Sequence, residues 1–210
     1  DGQTVIGDKT KLNCDCLGVS GGWTPAVHLF TQSGGKLKFR EEDQVFIPNV
    51  YPSDQISIGS CNGDFGLEEI IKNTLSSTKK FLDIDNSEYK TVETISGLNQ
   101  SKRNIWLLPS DKSIGKTKSF VDYQNDATAK DIKLALREGF RSIEHVKRYT
   151  TTGMGTDQGK LGNMHALGII SETAGTKMGE HGATTFRPPY TPITFGTIVG
   201  RNVGEFFDIF

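Results

Sequence analysis

The sequence is poor in cysteine, in long apolar runs and in net charge. Its longest apolar stretches, such as 105–108, fall far short of the roughly 20 residues that a membrane-spanning helix needs. No basic start followed by an apolar run marks a signal peptide. An odd total of three cysteines does not build a disulfide framework. The 24 basic and 25 acidic residues nearly cancel, which favours neither nucleic acid nor an anionic membrane as a partner. Composition therefore predicts a soluble globular protein of the cytoplasm.

Cysteine and histidine form no ligand cluster in the sequence. Cys14 and Cys16 alternate on one face of a predicted strand, and without a second pair ordinary packing is favoured over a zinc site. The four histidines are scattered, and no Ser or Cys nucleophile pattern accompanies them. We therefore expect neither a catalytic residue nor a metal site in this stretch.

Glycine is abundant, and two glycine clusters follow predicted strands. The alternation over 12–18 predicts a strand that ends in the cluster 18–25, and a second strand, 55–59, ends in the small-residue turn 60–64. Such turns let a backbone approach a dinucleotide closely. Because no G-x-G-x-x-G follows either strand, spacing alone favours the simpler interpretation that these glycines turn the chain.

Helical periodicity follows the second turn and recurs later in the chain. Apolar residues over 67–82 predict a helix that Asp64 could cap, with glutamates in its first turn and lysines in its last. Thr128 and Asp131 resemble a capping box, Ser142 can open a further helix, and a third is expected over about 158–174.

The run 121–162 resembles small helical ferredoxin-like domains that hold a [2Fe–2S] cluster. Those domains have a C-x-C pair, a Thr-capped helix, a V-K-x-x-T segment and a G-M-G-x-C-Q-G-x-x-C ending. The chain keeps the helix start at Thr128, the V-K-x-x-T segment at 146–150 and the Gly, Met and Gln residues of the ending at 153–159. The four cysteine positions are instead occupied by Asp122, Gln124, Asp157 and Gly162. Because the cluster needs four thiolates, or two with two histidines, we predict the helical fold without the metal.

Three further phrases, 120–126, 145–151 and 184–192, follow the cluster 19–23 in this order. Together they closely resemble the alpha subunits of heterotetrameric sarcosine oxidases, and the resemblance covers nearly the whole chain, most weakly at 84–103. The chain has no initiating Met, and we expect it to be an internal fragment of such a subunit. In that family a folate-binding domain follows this stretch.

The resemblance implies an α/β plus α fold. Residues 17–25 and 56–67 look like two segments of two-dinucleotide-domain (FAD/NAD(P)-binding) flavoproteins. Residues 1–83 would be the C-terminal part of an NAD-binding Rossmann-like domain, and 84–118 a linker with a short extended segment. Residues 119–183 would form the degenerate [2Fe–2S]-like domain, and 184–210 an extended docking segment.

The same resemblance implies a complex that demethylates sarcosine to glycine with oxygen as acceptor, yields hydrogen peroxide and passes the one-carbon unit to tetrahydrofolate. The family holds FAD in the beta subunit, a covalent FMN at the alpha–beta interface, NAD in the alpha subunit and zinc in a small subunit. Its partners would be the beta, gamma and delta subunits, and substrate oxidation would belong to the beta subunit.

Two sets of residues are the expected cofactor contacts. The NAD set is Gly59, Ser60, Cys61, Gly63, Phe65 and Leu67. The FMN-interface set is Lys147, Arg148, Thr151 and Lys160. Three of the second set belong to the basic cluster Arg141, Lys147, Arg148 and Lys160, for which the residues alone favour the simpler interpretation of a solvated helix face.

Two rival interpretations stay open. One is a non-enzymatic docking module. The other is the large subunit of an opine-type or hydrogen cyanide-forming dehydrogenase, which the missing cysteines disfavour because those relatives usually keep them.

Overall fold

The computed structural model describes residues 4–52, 54–84, 104–188, 191–201 and 204. In these residues the helices are α1 (His28–Gln32), α2 (Leu67–Leu82), α3 (Ala129–Arg137), α4 (Ile143–Thr150), α5 (Gly162–Ala174), α6 (Met178–His181) and α7 (Phe195–Val199). The strands are β1 (Lys36–Arg40), β2 (Val45–Val50), β3 (Phe120–Asp122) and β4 (Ala127–Thr128). Short 3₁₀ turns span Gly59–Asn62 and Ile114–Lys116. The strands pair as two antiparallel hairpins, β1–β2 and β3–β4.

The helical half is built around α5. Ile132 of α3, Val146 of α4 and Ile170 of α5 are each at most 1% exposed and belong to one apolar core. The predicted capping box is confirmed, because the amide and hydroxyl of Thr128 both donate to the Asp131 carboxylate, at 2.8 and 2.7 Å. Ser142 lies at the N-cap of α4, as predicted. The capping residues predicted from the sequence and the buried apolar residues of the core therefore belong to the same helices.

The β1–β2 hairpin packs against the same core, although it lies in the first half of the sequence. Phe46 of β2 is buried with the helical residues, and Leu37 and Phe39 of β1 pack partly against them. Phe39 also approaches α6, where a Cβ built on Gly179 would lie 3.2 Å from the Phe39 Cβ. The hairpin was not predicted from the sequence, and it joins the two halves of the chain through apolar contact.

Both strands predicted for the first half are wrong in this structure. Residues 12–18 are in no sheet, and Leu12 and Leu17 are 80% and 78% exposed. The segment 55–58 is likewise unpaired, and the chain turns into a 3₁₀ helix at Gly59. A strand needs a neighbour to accept and donate its backbone hydrogen bonds, and the described residues supply none at either place.

Two helix boundaries also differ from the predictions. The helix α2 has Gly66 at its N-cap with no side-chain cap, so Asp64 does not cap it; the Asp64 carboxylate instead accepts from the Asn73 side chain at 3.3 Å. The helix α5 begins at Gly162 rather than near 158. Positive φ angles at Gln158 and Gly159, 52° and 71°, form a turn that a right-handed helix cannot include.

The helix α2 exists as predicted, but none of its residues is buried. Leu67, Phe81 and Leu82 are 58%, 64% and 56% exposed. The helix is therefore amphipathic in sequence, and its apolar side is only partly covered in the described part of the chain.

The predicted linker lies mostly outside the described residues, at 85–103. The described residues resume at 104, and Trp106 and Leu107 pack partly against the core. The predicted extended tail is partly helical, since α7 occupies 195–199. Before it, Thr184 is buried and the Phe186 ring lies 3.9 Å from that of His28. In the described residues, no helix is both long and apolar enough to span a bilayer.

Trp106 packs directly on a glycine of α5, which yields a test of this arrangement. A Cβ at Gly168 would lie 2.2 Å from the Trp106 ring. Helix propensity alone favours alanine over glycine by about 1 kcal/mol, whereas overpacking costs about 1–3 kcal/mol. We expect Gly168→Ala to lower the free energy of unfolding and to shift the Trp106 fluorescence to longer wavelength, measured in a Trp23→Phe background.

The matched control is Thr173→Ala on the exposed side of the same helix, which should leave the emission unchanged. A Gly168→Ala protein with unshifted emission and higher stability would contradict the packing of Trp106 on α5.

Candidate functional site

An open cleft lies where the first glycine cluster meets the start of α5. Its walls come from the segments 21–24, 43–45 and 104–106 and from the first residues of α5 with the preceding turn. Trp23 is 79% exposed at its edge, and the Trp106 ring meets the His165 ring edge-on with 6.0 Å between centroids. Lys160 contributes the cationic side chain of this wall. Two indoles, a lysine and exposed glycine backbone give the cleft both flat apolar surface and hydrogen-bonding groups.

A second, mainly apolar pocket adjoins the cleft and shares Thr24, Lys160 and Met164 with it. His28 lines this pocket and is only 8% exposed. Burial, together with the nearby positive charge of Lys160, lowers the pKa of His28 to about 4. The imidazole is therefore neutral near pH 7.

The predicted NAD turn lies on the other side of the β1–β2 hairpin. Gly59 and Gly63 are buried with φ angles of 73° and 87°, which glycine adopts without steric cost. Ser60 is exposed, and the Cys61 thiol donates to the Ile58 carbonyl at 3.0 Å. Phe65 is half-buried and Leu67 exposed at the start of α2. The structure thus brings the six predicted residues together in one turn and helix start.

Arg40 connects this turn with the hairpin loop that forms one wall of the cleft. Its guanidinium donates to the Gly63 carbonyl at 2.7 Å and to both carboxylate oxygens of Asp43. There is no room for a side chain at Gly63, because a Cβ there would lie 2.7 Å from Ile47. The turn and the cleft are therefore fixed relative to each other by the hairpin.

The four residues predicted at the FMN interface are not gathered in one place. Arg148 donates to the Glu144 carbonyl and carboxylate on its own helix, at 2.8 and 3.0 Å. Thr151 ends α4 in a left-handed conformation with φ 60°. Lys160 lies nine positions further along and lines both pockets, whereas Lys147, Arg148 and Thr151 line neither.

Comparison with known proteins gives the family. Residues 116–201 match the model of the sarcosine oxidase A3 domain. The chain is 37% identical over 208 residues to the sarcosine oxidase alpha subunit of Rhizobium meliloti (strain 1021), covering 96% of the chain. It belongs to the sarcosine oxidase alpha-subunit family. The chain spans only about a fifth of the length of the curated alpha subunits it matches, 20% and 22% for two of them.

An opine oxidase subunit of Rhizobium meliloti (strain 1021) is similar over a shorter stretch. It is 34% identical over 73 residues, which cover 35% of the chain and 16% of that protein. Among solved structures, the L-proline dehydrogenase from P. horikoshii superposes on 86% of the chain and 38% of its own, with a TM-score of 0.55 and 20% identity. That likeness concerns the fold alone.

Within the A3 domain, a buried carboxylate joins two loops. Asp122, 5% exposed, accepts at Oδ1 from the amides of Gln124 and Asn125, at 2.8 and 3.1 Å. Its Oδ2 accepts from the amide of Gly153 at 2.6 Å, 31 residues away. Burial alone would raise the pKa of this carboxyl, but the hydrogen bonds from Gly153, Asn125 and Gln124 outweigh it and hold the pKa below its usual value.

The residues present do not fit an iron–sulfur cluster. Asp122, Gln124, Asp157 and Gly162 provide no thiolate. Among the described residues, no three His, Cys, Asp or Glu side chains come together as metal ligands.

Sequence reasoning missed two residues of the cleft region. In the sequence His28 is one of four scattered histidines, yet it is buried between two halves of the chain. Trp106 belongs to a predicted extended segment, yet it lines the cleft. The apolar run around Trp106 was the available signal, but nothing local indicated which glycine of α5 it would meet.

Proposed function

We propose that the chain is part of the alpha subunit of a heterotetrameric sarcosine oxidase, a flavin-dependent oxidoreductase. The complex would convert sarcosine to glycine and hydrogen peroxide and transfer the one-carbon unit to tetrahydrofolate. The observation that carries this proposal is the similarity to sarcosine oxidase alpha subunits over 96% of the chain, since it includes the glycine clusters as well as the A3 domain. Oxidation of the substrate would take place on the beta subunit, in the cytoplasm.

One role of this stretch would be to contribute to an NAD site with Gly59, Ser60, Cys61, Gly63, Phe65 and Leu67. The left-handed glycines allow close backbone approach, and α2 begins with no side-chain cap on its amides. Asp64, Glu68 and Glu69 surround this helix start, and their carboxylates suit the hydroxyl groups of a ribose better than a phosphate.

A second role would be to form the surface that meets the beta subunit and the FMN. Lys147, Arg148 and Thr151 lie at the end of α4, where Arg148 and Thr151 are exposed, and cations there can pair with an anionic group. Lys160, which lines the cleft, would supply a further positive charge to the FMN interface. Two apolar side chains of α7, those of Phe195 and Ile198, are 78% and 65% exposed. Such exposure is expected for a segment that docks on a partner. FAD, tetrahydrofolate and zinc would be bound elsewhere in the complex, which would also contain gamma and delta subunits.

The NAD role is tested by Gly59→Leu in the full-length alpha subunit. A leucine at φ 73° strains the turn and fills the space above Ile70, whose methyl lies 3.5 Å from a Cβ at this position. We expect the dissociation constant for NAD, measured by isothermal titration, to rise about tenfold or more, a change of about 1.4 kcal/mol or larger.

Gly175→Leu is the matched control, because Gly175 also has a positive φ, 67°, but lies in open space at the end of α5. The control should bind NAD normally. Unchanged NAD affinity in Gly59→Leu would remove the basis of the proposed site.

The FMN role is tested by Lys147→Glu combined with Arg148→Glu in the complete complex. Reversing both charges should lower the content of covalent flavin relative to the FAD released by acid, or prevent assembly with the beta subunit. The control is the equivalent reversal on α3, Lys130→Glu with Arg137→Glu, at two exposed positions. A normal flavin spectrum in the α4 variant would count against this interface.

A further inference from the structure

The four positions that carry cysteines in cluster-bearing domains lie together at the contact between β3 and the loop 151–161. The Gln124 side chain accepts from the Asp157 amide at 3.3 Å and exchanges hydrogen bonds with Thr156. A Cβ built on Gly162 would point at Val121, one residue before Asp122. The four positions are therefore still close together, although none of them carries a thiolate.

The replaced positions now connect the two loops by hydrogen bonds. The buried Asp122 carboxylate holds Gly153 at one end of the 151–161 loop, and the exposed Gln124 amide holds Thr156 and Asp157 in its middle. A hydrogen bond to a charged acceptor is among the stronger ones in proteins. The two contacts together cross-link segments that are about 30 residues apart in sequence.

The backbone at these positions also leaves no room for the ligands of a metal cluster. A Cβ at Gly162 would lie 2.6 Å from the Val121 carbonyl oxygen, a backbone atom that cannot move aside as a side-chain end could. Both oxygens of Asp122 are occupied by donors. A thiolate at position 162 therefore has no space in this backbone arrangement.

We propose that Asp122 and Gln124 form a polar clamp that holds the 151–161 loop in place of a metal cluster. The clamp positions the cleft residues that follow, because Gly159 and Lys160 belong to this loop. The loop wraps tightly around Asn163, whose side chain would lie 2.2 and 2.0 Å from a Cβ at Gly153 and Gly159. Asn163 itself donates to the Gln158 carbonyl and the Thr184 hydroxyl, at 3.2 and 2.8 Å.

The test is hydrogen–deuterium exchange of the full-length alpha subunit carrying Asp122→Asn. Asparagine retains one acceptor oxygen but presents an NH₂ group either to Gly153 or to the amides of Gln124 and Asn125. The clamp predicts that peptides covering 151–160 exchange about tenfold faster or more, the factor expected when a hydrogen bond to a charged group is lost. Asp126→Asn, an exposed carboxylate four residues along, should leave this loop unchanged.

Each of three results would overturn the proposal. Faster exchange confined to 123–126 in Asp122→Asn would mean that the carboxylate only supports its own turn. Faster exchange of 151–160 in the unmodified protein after EDTA treatment would mean that a metal holds the loop. If Asp122→Asn does not fold, Gln124→Ala replaces it, because the Gln124 side chain is exposed and its removal leaves no cavity in the core. The proposal then requires faster exchange at 155–159. Unchanged exchange at 155–159 would refute the proposal.

Discussion

The Asp122 carboxylate and the Gly153 amide make the contact on which the helical half depends most directly. It is a buried bond of 2.6 Å between the end of β3 and the loop after α4. That loop leads into α5, the central helix of the core. Lys160, in the same loop, lines the cleft, and burial together with the charge of Lys160 lowers the pKa of His28. One hydrogen bond thus links the fold of the A3 domain with the electrostatics of the candidate site.

Apolar packing provides the second constraint, and it acts between sequence-distant elements. Phe46 joins the core formed by α3, α4 and α5, so the hairpin cannot shift without opening that core. Arg40 then fixes the turn 59–63 to the hairpin. The proposed NAD turn and the cleft are consequently held on one scaffold, while α2 and α7 extend apolar side chains outward.

The sequence predicted the features that local chemistry determines. The capping box of Thr128 and Asp131, the start of α4 at Ser142 and the existence of α2 all follow from capping and periodicity, and family resemblance correctly indicated the alpha-subunit family. The hairpin was missed because its burial comes from α6 and α5, far along the chain. The strands at 12–18 and 55–59 were wrong because sheet pairing needs neighbours that these residues lack here. The role of Asp122 could be inferred only as a missing cysteine, since its partner Gly153 is identified by three-dimensional proximity.

The Asp122 carboxylate holds the Gly153 amide in its ionised form. A depressed pKa in the folded state means that this stabilisation is present above the unfolded-state value of about 3.9 and is lost as the pH falls through the folded-state value. The most direct measurement is an NMR titration of the ¹³C-labelled Asp122 carboxyl with the Gly153 amide proton followed in parallel. We expect the carboxyl and the amide to titrate together, with a midpoint below the ordinary aspartate value. A midpoint at or above that value, or a Gly153 amide that does not respond, would contradict it.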